Sequence, residues 1–319
     1  MTLLRMRLGA VAVAAALAAS GCGGDDEESG GGGPTQVKVQ DTAGVPSAFV
    51  GFGVEKRIFE RRELQVEVEP TQGGAATLPA LVSGDIQVGG SNVVSLLLAA
   101  SKGLPVTAIA PGTSAQEKGE DFGALIVSGD GPIKRAADLE GKTVAVNTLD
   151  NIAEVVVKAA LEKEGADPAK VELTEVPFPE MSTAVERGDV DAAFSIEPFV
   201  TSATRAGARI INYSYVVTEP GMQVGAYAVS RQYAEENPDV VERYRAAVAE
   251  TAEYVNAHQD EFRTYLSEQA EIDPDLAKDI VLPRFSGELD VQSLQSTGEL
   301  MQKYGLVTEP VDAQALVTE

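Results

Sequence analysis

A pattern that occurs twice restricts the fold of this chain more than any other feature of its sequence. The segment ALVSGDI at residues 80–86 and the segment AVERGDV at residues 184–190 share the form A-[LV]-x-x-G-D-[IV], 104 positions apart. In both copies a short helical pattern runs into Gly84 or Gly188, where a left-handed helix stop is expected, and a β-branched residue follows. A common helix-to-strand turn would also explain either copy alone, but together the copies favour two similar lobes.

A second repeat supports the two-lobe interpretation. The segment GALIVS at residues 123–128 resembles GAYAVS at residues 225–230. These short strands enclose a segment long enough for the chain to cross into a second lobe and return. We expect a hinge at the two strands and a ligand cleft between the lobes. The predicted lobe 1 comprises residues 36–122 and 228–319, and the predicted lobe 2 comprises residues 123–227.

From Gln36 onward, short β-rich runs alternate with helical stretches, which predicts an α/β fold with mainly parallel strands. After Ser230 the pattern becomes helical, with Val241, Tyr244 and Val248 repeating on one helix face. The candidate strands span residues 37–40, 64–68, 86–89, 106–109, 124–127, 143–146, 171–176, 192–196 and 226–229.

The first 35 residues are predicted to direct and anchor the protein. Residues 1–21 resemble a secretory signal peptide, with two arginines before an apolar run that is shorter than the roughly 20 residues of a membrane-spanning helix. Cys22 follows Ala-Ser-Gly, as in a bacterial lipobox, so we expect it to carry lipid; a secreted protein with an incidental cysteine is the alternative. Residues 22–35 form a Gly-rich acidic linker. The expected location is outside the cytoplasmic membrane, lipid-anchored in the cell envelope or periplasm.

Charge and residue counts exclude several classes of function. The 25 Lys and Arg residues against 49 Asp and Glu give a net charge of −24, which argues against nucleic acid as a partner. One cysteine and one histidine leave no disulfide and no Cys/His zinc cluster, and a Ser-His-Asp triad would have to use His258. We expect His258 to lie in a surface turn, and we expect no cofactor and no metal.

Four stretches together resemble one family. They are GGAATLPALVSGDIQVGG, KGLPVTAIA, IKRAADLEGKTVAVNTLDN and VPFPEMSTAVERGDVDAAFSIEPF, which begin at residues 73, 102, 133 and 176. The chain resembles, from about residue 37 to 310, the substrate-binding proteins of ABC importers that take up nitrate, sulfonates, taurine and thiamine-type pyrimidines. Gln87 stands where that family usually has Asp.

The resemblance implies a two-lobed type II periplasmic-binding-protein fold that closes over a small solute. It also implies that the protein is not an enzyme, that it is a monomer, and that it delivers the solute to an ABC permease driven by an ATPase. Two alternatives remain. A pyrimidine-synthesising enzyme of the same fold would need a histidine and a cysteine near its cofactor. A tethered sensor or adhesin would share the binding fold without transport.

The candidate ligand-binding residues lie mostly at strand-to-helix junctions, where helix N-termini leave backbone N–H groups free for a polar or anionic solute. The same Ser, Asn and Asp residues could instead cap helices, the glycines could supply a turn, and the Phe residues could belong to the core. Glu180 and Glu197 would favour a solute with N–H donors or a positive charge if they lie in the cleft, and are otherwise surface carboxylates. The candidates are Asp41, Ser47, Gln72, Gly73, Ser91, Asn92, Asn147, Thr148, Phe178, Glu180, Glu197 and Phe199.

Overall fold

The computed structural model describes residues 33–269 and 272–317. The predicted signal peptide, Cys22 and most of the predicted linker lie outside these residues. The strands of the described part are β1 (Thr35–Thr42), β2 (Leu64–Thr71), β3 (Val88–Asn92), β4 (Val106–Pro111), β5 (Thr113–Ser114), β6 (Gly123–Ser128), β7 (Thr143–Val146), β8 (Glu172–Glu175), β9 (Ala192–Ile196), β10 (Ala208–Asn212), β11 (Gly225–Ser230) and β12 (Arg284–Phe285).

Helices connect most of these strands and cover both faces of the sheets. None of the helices in the described part is long and apolar enough to cross a membrane. The helices are α1 (Val45–Glu55), α2 (Gly74–Ser83), α3 (Val93–Ser101), α4 (Ile152–Lys163), α5 (Phe178–Arg187), α6 (Phe199–Arg205), α7 (Ser214–Thr218), α8 (Arg231–Glu236), α9 (Pro238–Ala257), α10 (Gln259–Gln269), α11 (Pro274–Asp279) and α12 (Val291–Lys303).

Two five-stranded sheets have the same internal plan. The first has the order β2-β1-β3-β11-β4 and the second the order β8-β7-β9-β6-β10. In each sheet the first three strands are parallel, and the fourth, β11 or β6, runs antiparallel to both neighbours. The fourth strand of each sheet comes from the chain segment that builds the other sheet. β6 follows the first-sheet strands β1, β2, β3 and β4 along the chain but pairs in the second sheet, and β11 follows the second-sheet strands but pairs in the first. The predicted α/β fold with two similar lobes is therefore confirmed.

Both sequence repeats occupy equivalent places in the two sheets. The first repeat ends α2 and leads into β3, and its copy ends α5 and leads into β9. Gly84 and Gly188 adopt φ values of 82° and 74°, as expected for left-handed helix stops, and a Cβ atom at either would meet no atom within 4 Å. Backbone conformation, and not lack of space, therefore explains these two glycines.

The chain passes between the sheets in two adjacent segments, residues 112–116 and 221–225. Their backbones are hydrogen-bonded to each other, with Ala115 N donating to Met222 O at 2.8 Å and Val224 N to Thr113 O at 2.9 Å. The sequence predicted the connection at residues 123–128 and 225–230. Each of those segments is a strand paired within a single sheet. Residues 112–116 precede the first strand and residues 221–225 run into the start of the second, so the place of the hinge stays a prediction.

Several predicted strand limits also differ. β3 begins at Val88 and not at residue 86, because Ile86 N still bonds to Ala80 O in the turn after α2. β1 begins at Thr35, which the sequence assigned to the linker. β10 was missed since its first four residues are all half-buried and give no alternation, and β5 and β12 contain only two residues each.

One large cluster of buried side chains includes residues from both lobes. Leu96 and Leu97 of α3 belong to it, as do Val155 and Val156 of α4. Helices α3 and α4 both begin beside the open ends of the strands, so their packing brings two helix N-termini to the same region of the molecule.

Candidate functional site

A cavity of about 590 Å³, including the part open to solvent, lies where the carboxyl ends of β1, β3, β7 and β9 meet. Residues of both sheets and of the connecting segments line it. The lining residues are Asp41, Thr42, Pro46, Gly73, Gly74, Gly90, Ser91, Asn92, Gly112, Thr113, Phe122, Asn147, Asn151, Ile152, Ala153, Phe178, Phe194, Ile196, Tyr215, Val224, Gly225, Ala226 and Tyr227.

Asp41, at the end of β1, is the acidic residue of the lining. Its carboxylate accepts hydrogen bonds from its neighbour Thr42 N at 2.7 Å and from the Tyr227 hydroxyl at 3.0 Å. The side chain is 4% exposed. Burial, opposed by these two hydrogen bonds, raises the pKa of Asp41 to about 7.

The sheet register explains how Asp41 and Tyr227 meet. β1 and β3 pair with Gln40 opposite Gly89, and β3 and β11 pair with Gly90 opposite Tyr227. Gly90 therefore lies between Asp41 and Tyr227, and a Cβ atom there would be 2.2 Å from Asp41 Cγ. The Asp41 side chain extends past Gly90, and its carboxylate accepts the hydrogen bond of the Tyr227 hydroxyl.

The first-lobe helices begin at the cavity wall. Asn92 caps α3 by accepting a hydrogen bond from Ser95 N at 2.9 Å, so it both caps a helix and lines the cavity. Gly74 starts α2, and a Cβ atom at this position would be 2.1 Å from Ser91 Oγ. The predicted residues Gly73, Ser91 and Asn92 therefore line the cavity, and close packing of α2 on β3 explains Gly74.

The second lobe contributes amide side chains from the loop between β7 and α4. Asn147 Nδ2 lies 3.4 Å from the place of a Cβ atom on Gly73, so the two lobes approach each other closely here. Asn151 is 2% exposed, and its Nδ2 donates to the Thr148 hydroxyl. Its Oδ1 is buried without a hydrogen-bond partner. An unpartnered acceptor is thus present in the cavity lining.

Aromatic side chains form part of the wall. Phe178, at the start of α5, lines the cavity and stacks on Phe199 with ring centroids 6.2 Å apart. Phe199 lies behind it and does not line the cavity. Phe49 and Phe52 do not line the cavity and are buried in the core of the first lobe.

Six predicted ligand residues line the cavity and six do not. Asp41, Gly73, Ser91, Asn92, Asn147 and Phe178 line it. The other six lie outside its lining. Gln72 and Glu180 are exposed, and Phe199 stacks behind Phe178. Ser47, Thr148 and Glu197 form hydrogen bonds with Gly44 O, Asn151 and Thr201 respectively.

Glu197 is neither a cavity residue nor a solvated surface carboxylate. It is 1% exposed and accepts hydrogen bonds from Thr201 N at 3.0 Å, Thr201 Oγ1 at 2.7 Å and Val281 N at 3.2 Å. Burial raises its pKa. Its carboxylate therefore joins the start of α6 to the segment after α11.

Sequence reasoning missed Tyr227, Tyr215, Phe122, Phe194 and Asn151. The four aromatic residues lie within or just before strands or inside a short helix, and not after a strand end, so the strand-to-helix rule could not find them. Asn151 directly precedes α4, and its position before a helical pattern was an available signal.

The electrostatics of the site come from the backbone and one carboxyl. In the part of the chain that the structure describes, no lysine, arginine or histidine lines the cavity. The starts of α2, α3, α4 and α5 border it, and the N-terminal end of a helix carries partial positive charge. The described residues contain no group of three or more His, Cys, Asp or Glu side chains able to hold a metal ion.

Comparison with known proteins agrees with this architecture. The model of the NMT1/THI5-like family matches residues 48–262. The chain belongs to this family. The "Taurine-binding periplasmic protein" of Escherichia coli (strain K12) is 28% identical over 187 residues, which are 59% of this chain and 56% of that protein. The match therefore spans a little over half of the relative's length.

Solved structures show the same fold. The alkanesulfonate-binding protein SsuA from Xanthomonas axonopodis pv. citri, bound to MOPS, superposes with a TM-score of 0.76 at 18% identity, covering 90% of this chain and 99% of that one. The aliphatic sulphonate binding protein SsuA from Escherichia coli gives a TM-score of 0.73 at 18% identity, covering 90% and 92%. The predicted family resemblance and the periplasmic-binding-protein fold are both confirmed.

Proposed function

We propose that this protein is the extracytoplasmic solute-binding component of an ABC importer. It captures a small polar or anionic organic solute in the cavity between its lobes and delivers it to a permease. The observation that carries the proposal is a cavity lined from both sheets, with Asp41, Ser91 and Asn92 on one side and Asn147 and Phe178 on the other. A solute bound there contacts both lobes at once, as delivery by opening and closing requires.

The relatives support solute binding over catalysis. The curated relative is named for binding taurine, and the two solved structures are named for binding sulfonates. The cavity lining in the described residues includes neither a histidine nor a cysteine, which the alternative of a pyrimidine-synthesising enzyme needs. A tethered sensor or adhesin remains the second candidate, and transport assays separate it from an importer.

A thermal-shift screen tests solute binding directly. The purified protein is screened against sulfonates, nitrate, taurine and pyrimidines, and a binder present at 100 times its Kd should stabilise the fold by about 2.7 kcal/mol. Deleting the gene should then abolish cellular uptake of that solute. Binding without any loss of uptake would favour the sensor, and no binder among these classes would contradict the proposed solute range.

We also propose that the mature chain begins at Cys22 and that lipid on this cysteine holds the protein, as a monomer, at the cell envelope. The sequence ASGC supports this, and the Gly-rich acidic segment after it supplies a tether. Cells fed labelled palmitate should label the wild type and not the Cys22→Ala variant. Label on the variant, or none on the wild type, would contradict lipidation.

A further inference from the structure

A carboxyl group without a cationic partner is the least expected feature of the cavity. Asp41 is 4% exposed, yet none of the ion pairs among residues 33–269 and 272–317 includes it. A carboxylate removed from water is destabilised unless a cation or several hydrogen bonds compensate it. Two hydrogen bonds reach Asp41, whereas a carboxylate can accept about four. The Asp41 carboxylate can therefore accept further hydrogen bonds.

The absence of a side chain at Gly90 leaves the space that the Asp41 carboxyl occupies. Gly90 lies between Asp41 and Tyr227 in the sheet, and any side chain there would collide with the carboxyl carbon. Tyr227 holds one oxygen and the backbone of Thr42 holds the other. Asp41 is thus a positioned group with few alternative conformations, as a ligand-binding residue requires.

A second unused acceptor belongs to a lining residue of the other lobe. Asn151 Oδ1 is buried without a partner, and buried acceptors are normally satisfied in folded proteins. Two lining residues with unused acceptor capacity, one from each lobe, favour a solute that donates hydrogen bonds. The N-termini of α2 and α4 border the same cavity, so they suit an acceptor or anionic group elsewhere on that solute.

We propose that Asp41 binds an amino group of the solute, so that the cavity selects amine-bearing solutes over otherwise similar molecules without an amine. This deepens the proposed function and rests on it. The N–H groups of the solute donate to the free acceptor positions of the Asp41 carboxylate. A simple anion such as an unsubstituted alkanesulfonate brings no donor to this position and adds negative charge beside a buried carboxyl.

The pH response of binding follows from the same contact. Because burial raises the pKa of Asp41 to about 7, acidification to pH 5.5 protonates the carboxyl and weakens its bond to an ammonium group. Tyr227 on β11 and Tyr244 on α9 are the titratable groups that influence Asp41 from neighbouring elements, and burial raises the pKa of both phenols well above 10. Both remain neutral throughout this pH range.

Matched probe pairs test the proposal by calorimetry at pH 8. One pair is taurine and ethanesulfonate, and the other is 4-amino-2-methylpyrimidine and 2-methylpyrimidine. We expect the wild type to bind the amine-bearing member of at least one pair roughly 10- to 100-fold more tightly, and Asp41→Asn to lose that preference. A preference within the first pair identifies the solute as an aminosulfonate, and a preference within the second pair identifies it as an aminopyrimidine.

Two controls keep a folding defect separate from a lost contact. Asp121→Asn makes the same change at another buried aspartate that does not line the cavity, and should leave the preference intact. The wild type should bind taurine, if taurine is its ligand, more weakly at pH 5.5 than at pH 8, whereas ethanesulfonate should bind no more weakly at pH 5.5, because protonation of Asp41 removes its repulsion of an anion. A melting curve shows whether each variant is folded.

The outcomes distinguish the two proposals. Equal binding of both members of each pair, unchanged by Asp41→Asn, would overturn the role of Asp41 and leave solute binding intact. Preference for the amine that persists in a folded Asp41→Asn variant would also overturn it. No binding of any of the four probes would contradict the proposed solute range and, with it, this inference.

Discussion

At the scale of single residues, glycines determine how closely the groups around the cavity approach one another. Gly90 leaves room for the Asp41 carboxyl, and Gly74 lets the start of α2 lie against Ser91. Neither glycine has a positive φ, so each is required by space and not by backbone conformation. Substitutions at these positions therefore report on the geometry of the cavity itself.

Gly90→Ala should weaken solute binding and destabilise the protein by about 1 to 3 kcal/mol, because the new methyl group displaces the Asp41 carboxyl from Tyr227. Gly287→Ala is the matched control: its Cβ atom would lie 3.4 Å from Ala249 Cβ, an ordinary contact, and we expect a change below about 0.5 kcal/mol. Chemical denaturation and calorimetry measure both effects. Equal behaviour of the two variants would contradict the assigned packing.

Asp121 makes stability depend on pH. Burial raises its pKa to about 7, although its carboxylate accepts hydrogen bonds from Gln116 N and Phe122 N. The folded state thus keeps a proton that the unfolded chain loses near pH 4, so this contribution is complete below pH 4 and is lost as the pH rises to about 7. It amounts to at most about 4 kcal/mol.

Replacing Asp121 with Asn should therefore flatten the curve of unfolding free energy against pH between 4 and 7. The amide oxygen can keep the bonds from Gln116 N and Phe122 N, while the titrating proton is removed. Urea denaturation at several pH values measures the curves of both proteins. Parallel curves would show that Asp121 titrates at an ordinary pKa.

At the scale of elements, the starts of the helices carry most of the polar groups, and capping and ligand contact are not exclusive. Asn92 caps α3 and also lines the cavity, whereas Asp290 caps α12 without lining it. Glu197 stabilises the start of α6 through Thr201 and reaches Val281 as well. A helix start thus marks a candidate residue, and its place in the fold decides what it touches.

Glu197→Ala should lower the free energy of unfolding by about 2 to 4 kcal/mol, because it leaves Thr201 N and Val281 N without their acceptor. Solute affinity of the folded variant should be unchanged, since Glu197 does not line the cavity. Glu180→Ala, at an exposed position of α5, should cost less than about 0.5 kcal/mol. An unaltered melting temperature for Glu197→Ala would contradict this structural role.

The sequence predicted those site residues whose position follows from being next to a strand end along the chain. Asp41, Asn92 and Asn147 each follow or end a strand, and all three reach the cavity because parallel strands end at the same edge of a sheet. Tyr227 could not be found in this way. It lies within β11, and its approach to Asp41 depends on the exchange of β11 into the first sheet, which is set by long-range pairing.

At the scale of the whole molecule, two joined segments and a shared core connect the lobes. The hydrogen bonds between residues 112–116 and 221–225 hold the connection together, and Gln223 adds a bond from its side chain to Gly225 O at 2.7 Å. Across the cleft, Asn147 approaches Gly73. A hinge at the connecting segments would therefore separate Asn147 from Gly73 when the cavity opens.

Linking the lobes beside this contact should stop solute exchange. Gln72 and Thr148 are the chain neighbours of Gly73 and Asn147 and do not line the cavity. We expect a Gln72→Cys, Thr148→Cys protein on a Cys22→Ser background, closed with a short bis-maleimide, to exchange the tightest-binding probe far more slowly than the unlinked protein. The reason is that entry and release require the lobes to part.

The matched control places the same linker within one lobe. Lys170 and Glu140 form an ion pair at 2.8 Å, and both belong to the second lobe, so a Lys170→Cys, Glu140→Cys protein carries an equivalent cross-link without joining the lobes. Stopped-flow mixing measures solute association and dissociation before and after linking. Exchange should slow in the Gln72/Thr148 protein and stay unchanged in the control, because only the first cross-link opposes hinge opening. Free exchange in both linked proteins would mean that solute enters without separation of Gly73 from Asn147, and the hinge would then have no part in binding.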